Sequence, residues 1–346
     1  MKVTSILSTD FTGLDCRCNF ILLVGGYLTL DKTPGRQILF LDIPTSRWAS
    51  PAVPAQTEQN KPMTTIMSIQ SSVAYGHVGN SAAAFTLMRM GVETYPVLTV
   101  HYSNTTSYGA WRGPVLAAQD VMDVVIGVDE RGALGGVDGV LSGFQGSPVT
   151  GSTILKAMEL TKTRNPAALY CCDPVMGDVD RGMFVAAGVP DFLREVVVPR
   201  ADIVTPNQYE LDFITGYKSK NLGDLVKEVD VMFALGPQTV LVTSAVPDDL
   251  EPNTISMVAA RSDEAWLVTT PHLDQVFTGS GDVTSAVFFA HLLESGRLDI
   301  ALQKTANIVY SILEATVQAG RRELALVLAQ DQLVNPRYSF EVTRIR

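Results

Sequence analysis

Residues 64–90 read TTIMSIQSSVAYGHVGNSAAAFTLMRM, and this stretch decides the fold class. Its opening, residues 64–70 (TTIMSIQ), is a short apolar run bounded by Ser71-Ser72, which reads as a buried strand. Gly76-His77-Val78-Gly79-Asn80 then places two glycines within five residues, a loop. Residues 81–90 follow as a helical stretch. The same grammar recurs downstream: strands are expected at 97–103, 139–144, 167–172, 202–205, 239–243 and 265–269. Amphipathic segments such as 150–163 and 222–235 lie between them. Short apolar strands alternating with helices predict an α/β protein with a mostly parallel central sheet covered by helices on both faces. No repeat of 20–50 residues occurs and no linker interrupts residues 63–346, so they read as a single domain.

Residues 1–62 have a different texture. They carry Pro34, Pro44, Pro51, Pro54 and Pro62, and their one sustained apolar run, 20–30, is broken by Gly25-Gly26 and too short to span a bilayer. The run lies too far from the start for a signal peptide, and Asp10, Asp15, Asp31 and Asp42 do not suit a transit peptide. The segment reads as a poorly ordered N-terminal extension of unknown role, with Met63 as a candidate start.

The chain of 346 residues is 46% hydrophobic and 18% charged, a globular composition, and its formal net charge is -10. That balance argues against nucleic-acid or anionic-membrane partners, which select basic surfaces. An anionic ligand is then expected only in a local site built from backbone dipoles and few cations. Of four cysteines, Cys171 and Cys172 are adjacent in an apolar run and cannot face the same way on a strand. With no C-x-x-C pair present, all four read as thiols of a reducing compartment. The four histidines lack ligand spacing for zinc.

In a parallel sheet, ligands sit beyond the carboxyl ends of the strands. The expected strand ends are Gln70-Ser71, Ser103-Asn104, Gly143-Phe144, Asp173-Pro174, Thr205-Pro206-Asn207 and Thr243-Ser244, a polar rim. Asp173, forced out of its strand by the following proline, suits a carboxylate near a phosphate-bound cation, because Mg²⁺ takes few carboxylates plus waters and phosphate oxygens. Asn207 and Glu210 have the spacing of a capping box, and Glu210 also suits a metal-bound water. Gly279-Ser280-Gly281-Asp282 leads into a segment whose Val283, Ala286, Val287 and Ala290 share a helical face. A glycine turn at a helix N-terminus is a site for phosphate or an oxyanion. Asp282 reads either as an ordinary N-cap or as an acid delivered to that site.

Taken together, IQSSVAYGHVGNSAA, HYSNTTSYGAWRG, LSGFQGS, DPVMGD, TPNQYEL and GSGDVTSA resemble, in this order, the pyridoxal kinases of the ribokinase-like superfamily. The resemblance runs from Met63 to the C-terminus. It implies a ribokinase-like three-layer sandwich, ATP-dependent phosphorylation of the 5′-hydroxymethyl group of pyridoxal, pyridoxine and pyridoxamine, Mg²⁺ together with K⁺ or Na⁺, and a cytoplasmic homodimer. By motif position it implies Asp282 as general base, with Gly279, Ser280 and Gly281 as its anion hole. Ser71, Val78, Thr106, Ser107 and Phe144 would meet the substrate, with His77 and Gly79 in the loop beside it. Asp173, Asp178, Thr205, Asn207, Glu210, Thr243, Ser244, Phe277, Thr278, Gly279 and Gly281 would meet ATP, Asp173 and Glu210 would serve the metal, and residues 177–184 would form a flap. Phe144 and Phe184 stand where the family frequently has tyrosine, Thr105 where histidine is common, and Thr243 where one branch has lysine. Two other readings share parts of this pattern: hydroxymethylpyrimidine kinase, which has the same G-x-G-D, and a protein that binds pyridoxal phosphate without turning it over. SNTTSYG and SGFQGS favour the pyridoxal branch, and the presence of Asp282, Asp173 and Glu210 favours catalysis. A Rossmann dehydrogenase is excluded, since no G-x-G-x-x-G follows the first strand.

Overall fold

Ile66, Met67 and Ile69 are all fully buried, and they divide between two cores, which makes the first strand the middle of a sandwich. Side chains alternate across a strand. Met67 and Ile69 accordingly join one apolar cluster, and Ile66 joins the other. Each fully buried aliphatic of this kind contributes about 1.5–3 kcal/mol, so the register of the strand is strongly held.

The computed structural model describes residues 63–346; the N-terminal extension read from the sequence lies outside the described residues. In chain order the elements are β1 (Thr65–Tyr75), α1 (Asn80–Arg89), β2 (Glu93–Asn104), α2 (Ala118–Glu130), β3 (Gly139–Ser142), α3 (Pro148–Arg164) and β4 (Leu169–Cys172). A small hairpin, β5 (Gly177–Asp178) and β6 (Gly182–Met183), precedes α4 (Val189–Phe192), β7 (Ile203–Val204), α5 (Gln208–Thr215) and α6 (Leu222–Leu235). Then come β8 (Thr239–Ala245), β9 (Thr254–Arg261), β10 (Glu264–Pro271), α7 (Ser280–Ser295), α8 (Leu298–Gln318) and β11 (Val342–Arg344).

Nine strands form one sheet in the order β11-β10-β9-β8-β7-β4-β3-β1-β2. Neighbours from β2 to β8 are parallel, whereas β8, β9, β10 and β11 pair antiparallel. Val121 and Val125 of α2, Ile154 of α3 and Val229 of α6 pack on one face. Leu87 of α1, Phe288 and Phe289 of α7, and Leu302 of α8 pack on the other. This is the three-layer ribokinase-like sandwich. Cys171 and Cys172 fall into opposite cores, as adjacent strand residues must.

Three departures from the sequence reading matter for the site. β1 continues to Tyr75 beyond a register shift between Gln70 and Ser72, where the bulge lies in β2 and Thr99 and Val100 together stand opposite Ser71. A bulge re-aims a side chain at a sheet rim. The antiparallel strands β9 and β11 extend the sheet where no strand was expected. The helix bearing Asp282 also starts three residues earlier than an N-cap at Asp282 would require.

Candidate active site

The end of the sheet is knitted strand to strand. The Asp173 amide donates to Ser142 O (2.8 Å), that of Thr205 to Cys172 O (3.1 Å), and that of Thr243 to Pro206 O (2.9 Å). The residues at the carboxyl ends of β3, β4, β7 and β8 are therefore neighbours on one rim. Ser244, at φ 54, holds the left-handed region that non-glycine residues rarely take, where the chain leaves that rim.

Facing the rim is the first turn of α7. Gly279 occupies the cap position at φ 91, and no side chain caps the helix. A Cβ on Gly279 would lie 1.9 Å from the His77 carbonyl oxygen, so this turn lies directly against the β1–α1 loop. The same loop is clamped from below, because a Cβ on Gly79 would lie 2.2 Å from Ser71 O. Ser280 Oγ donates to Phe277 O (2.9 Å) and closes the turn. The amides at the start of an α-helix have no carbonyl partner within it, and such a turn is a place where an anion can be held.

Asp282 is the third residue of α7, half-buried, and it does not cap the helix. Burial raises its carboxyl to about 6, an effect opposed by hydrogen bonds from the amides of Gly79 and of Asp282 itself. Asp173 is buried at 6% exposure. Burial and the charge of Asp282 push it up to about 8, against a hydrogen bond from Ser285. Glu210 is raised well above the carboxylate range by burial and by Asp173. Its Oε1 accepts from the Met176 amide (2.9 Å) and its Oε2 from the Asn207 amide (3.0 Å). Asn207 completes the capping box of α5 and donates to Gly177 O (2.8 Å). Glu210 thus both caps α5 and ties the loop after β4 to it.

Over this rim stands the β5–β6 hairpin. Arg181 donates to Asp178 through Nε (2.7 Å) and its guanidinium lies 4.4 Å from the centre of the Phe184 ring. Rim, turn and hairpin enclose a cleft of about 990 Å³. Ser71, Val78, Thr106 and Phe144 line it at one end of the rim, as do Asp173, Asp178, Thr205, Asn207, Glu210, Thr243 and Ser244. Phe277, Thr278, Gly279, Ser280, Gly281 and Asp282 complete the wall opposite. Ser107 does not line the cleft: its carbonyl accepts from Arg322 (3.0 Å) and its hydroxyl is buried without a partner. The thiols of Cys171 and Cys172 are buried and raised, the latter to about 12, so neither is a nucleophile.

Several wall residues escaped the sequence reading. Tyr102 of β2, Met257 of β9, and Val309 and Tyr310 of α8 line the cleft, and apolar residues of this kind carry no local sign of it. Ser285 is another. Its Oγ lies 2.8 Å from Asp173 Oδ2, 2.9 Å from Thr205 Oγ1 and 2.9 Å from Gly281 O. Its spacing of four from Gly281 puts it on the helix face of the glycine turn, a signal that was available.

A glycine turn with an acid in the first turn of its helix, facing buried acids at adjacent strand ends beneath a hairpin, is the arrangement of a small-molecule kinase of the ribokinase-like class. Residues 149–326 match the family model described as phosphomethylpyrimidine kinase. The chain is 50% identical over 280 residues to pyridoxal kinase PdxY of Leifsonia xyli (81% of this chain, 99% of the relative) and 52% identical over 281 residues to that of Rubrobacter xylanophilus (81% and 97%). The chain belongs to the pyridoxal kinase family. Among solved structures it is similar to the pyridoxal kinase of Leishmania donovani in complex with ADP and pyridoxamine, with a TM-score of 0.76 and 26% identity over 82% of this chain and 99% of that one.

Proposed function

We propose that this chain transfers the γ-phosphoryl group of ATP to the 5′-hydroxymethyl group of pyridoxal, and of pyridoxine and pyridoxamine. The observation that carries the reading is the position of Asp282, half-buried in the first turn of α7 beside free backbone amides, with its carboxyl raised to about 6. At neutral pH it is ionised yet basic enough to accept a proton, which is what a general base near pH 7 needs. The hydroxymethyl oxygen attacks the γ-phosphorus as its proton passes to Asp282. The bond to the β-phosphate oxygen breaks and ADP leaves. Negative charge on the transferring group meets the amides of Gly279–Gly281, already oriented by the turn.

The pyridine ring is assigned to the end of the cleft formed by Ser71, Val78, Thr106 and Phe144. The phosphates are assigned to the rim from Asp173 to Ser244 and to Thr278–Gly281. Ser107 would reach the ring only if its segment shifts. The hairpin with Asp178, Arg181 and Phe184 covers the phosphates and excludes water. Relatives named pyridoxal kinase and the L. donovani complex with ADP and pyridoxamine support the choice of these two substrates.

The donor set suits Mg²⁺. Asp173 and Glu210 are buried, and the charge of Asp282 raises Asp173 while that of Asp173 raises Glu210, a repulsion that a cation would relieve. No group of three or more His, Cys, Asp or Glu among the described residues could hold a metal ion, so phosphate oxygens and waters would complete the shell. Asp173 would reach it directly, and Glu210, whose oxygens accept amides, through water. When bound, Mg²⁺ would neutralise phosphate charge. From the family resemblance we further assign the protein to the cytoplasm as a homodimer, with K⁺ or Na⁺ assisting.

The test supplies ATP, Mg²⁺ and pyridoxal to the full chain and follows pyridoxal phosphate by absorbance. Asp282→Asn is expected to slow turnover at least ~10²-fold; equal rates for the two proteins would remove the base assignment. The matching family model keeps hydroxymethylpyrimidine in view, and competition between it and pyridoxal in one tube decides preference, with pyridoxal expected to win.

A further inference from the structure

The dipeptide Arg322-Glu323, outside the cleft, touches both loops that form its vitamer end. Glu323 Oε2 accepts from the His77 amide (3.3 Å), and its Oε1 accepts from the Tyr108 hydroxyl (2.8 Å). Gly76 permits the approach: a Cβ there would lie 2.1 Å from Glu323 Oε2. Arg322 donates to Ser107 O (3.0 Å), and its guanidinium lies 3.7 Å from the centre of the Tyr108 ring. The loop after β1 that carries His77 also carries Val78 and Gly79. The turn after β2 that carries Ser107 and Tyr108 also carries Thr105 and Thr106. All four of Val78, Gly79, Thr105 and Thr106 line the cleft.

The dipeptide is itself anchored. Leu324 and Leu326 are buried in a core shared with Ala82 of α1 and with Val283 and Val287 of α7. Asp282 precedes Val283 directly. One packed unit thus holds the base, and the same unit holds both vitamer-side loops through Glu323. Because Tyr108 donates to a carboxylate, its hydroxyl stays protonated, raised to about 12.

Resting on the functional reading above, we propose that Arg322 and Glu323 are positioning residues, a clasp that fixes the vitamer-side loops relative to Asp282 and so sets affinity for the vitamer independently of affinity for ATP. Neither touches the reacting atoms.

The test is steady-state kinetics of the full chain with ATP and Mg²⁺, joined to amide hydrogen exchange. Losing two hydrogen bonds, both accepted by the one carboxylate, Glu323→Ala is expected to raise KM for pyridoxal about tenfold, with KM for ATP within about twofold of wild type. Exchange should quicken in residues 74–80 and 103–109 and stay unchanged in residues 277–285. Tyr108→Phe, which deletes one O–H, should raise KM for pyridoxal about threefold with the same selectivity. A pyridoxal KM unchanged in Glu323→Ala, or equal rises in both KM values, overturns the clasp; if Glu323→Ala does not fold, Tyr108→Phe decides by the same criterion. A wild-type protein inactive on pyridoxal would instead overturn the functional reading. The clasp would then stand or fall on whether exchange quickens in the two loops alone.

Discussion

Ser285 Oγ lies 2.8 Å from Asp173 Oδ2, joining the second turn of α7 to the residue after β4. The contact sets the spacing between the helix that carries Asp282 and the rim acids, and Thr205, 2.9 Å from the same hydroxyl, extends it to the residue after β7. Ser285 is 2% exposed, so no water replaces it readily. Ser285→Ala is expected to destabilise the fold by about 1–3 kcal/mol, the range for a buried bond to an ionisable partner. Asp173 should also rise further, since Ser285 is what lowers it. Urea unfolding gives the first number, and a loss of turnover beyond the unfolded fraction gives the second effect. Wild-type values on both counts would reduce the contact to coincidence.

The pH dependence of catalysis follows from Asp282. Burial raises it to about 6, and only its ionised form can accept the hydroxymethyl proton. At saturating ATP, kcat/KM for pyridoxal should rise with pH through about 6 and then level. The residual rate of Asp282→Asn should lack that limb. A limb that persists in the variant assigns it to another group.

Stability should run the other way with pH at Asp173. Its carboxyl rises from 3.8 to about 8 on folding, through burial and the nearby charge of Asp282. The folded protein therefore keeps a proton that the unfolded chain releases. This contribution is fully present below about 3.8 and is lost as pH rises through about 8. Asp173→Asn carries no such proton. In the ligand-free protein, its stability advantage over wild type should grow by at least about 1 kcal/mol from mildly acidic pH to pH above 8, since a tenfold change in proton affinity is worth about 1.4 kcal/mol. Mg²⁺ with ATP should narrow the gap. Parallel pH curves for the two proteins would contradict this.

What the sequence disclosed follows from where each signal lives. Residues 64–70 were legible because both faces of β1 are buried, leaving a run of apolar and small polar residues with no charge in it. The helix Leu222–Leu235 was legible from its period. β11 was not, because its three residues are half-buried or exposed and no apolar pattern marks them. β9 owes its place to pairing with β8 and β10, a tertiary choice that local composition does not encode. The rim acids stood out because a carboxylate ending an apolar run needs a reason. Ser285 did not, since its partner is 112 positions away, and Glu323 meets Tyr108 across 215. Whether Asp282 capped its helix turned on one backbone angle at Gly279 that no composition reveals.

Gly279 offers a comparison that separates backbone freedom from contact. Both Gly279 (φ +91) and Gly91 (φ +84) lie in the left-handed region, and alanine at either is expected to lose about 1–2 kcal/mol from conformation alone. At Gly91 nothing lies within 4 Å of the added Cβ, so the loss should stop there and kinase activity should be unchanged. At Gly279 the Cβ would meet the His77 carbonyl oxygen at 1.9 Å and the carbonyl carbon at 3.0 Å. Backbone cannot rotate away as a side chain can, so either the β1–α1 loop or the first turn of α7 must move. Displacing the turn by a fraction of an ångström spoils the aim of Asp282 and of the anion-binding amides, for which near-attack geometry is worth orders of magnitude. Gly279→Ala should therefore lose at least about 10²-fold in kcat/KM, well beyond what its unfolded fraction explains. Thermal unfolding and kinetics of the two variants side by side make the measurement. If Gly279→Ala matches Gly91→Ala in both, the close packing of the glycine turn on His77 is not what aligns the site.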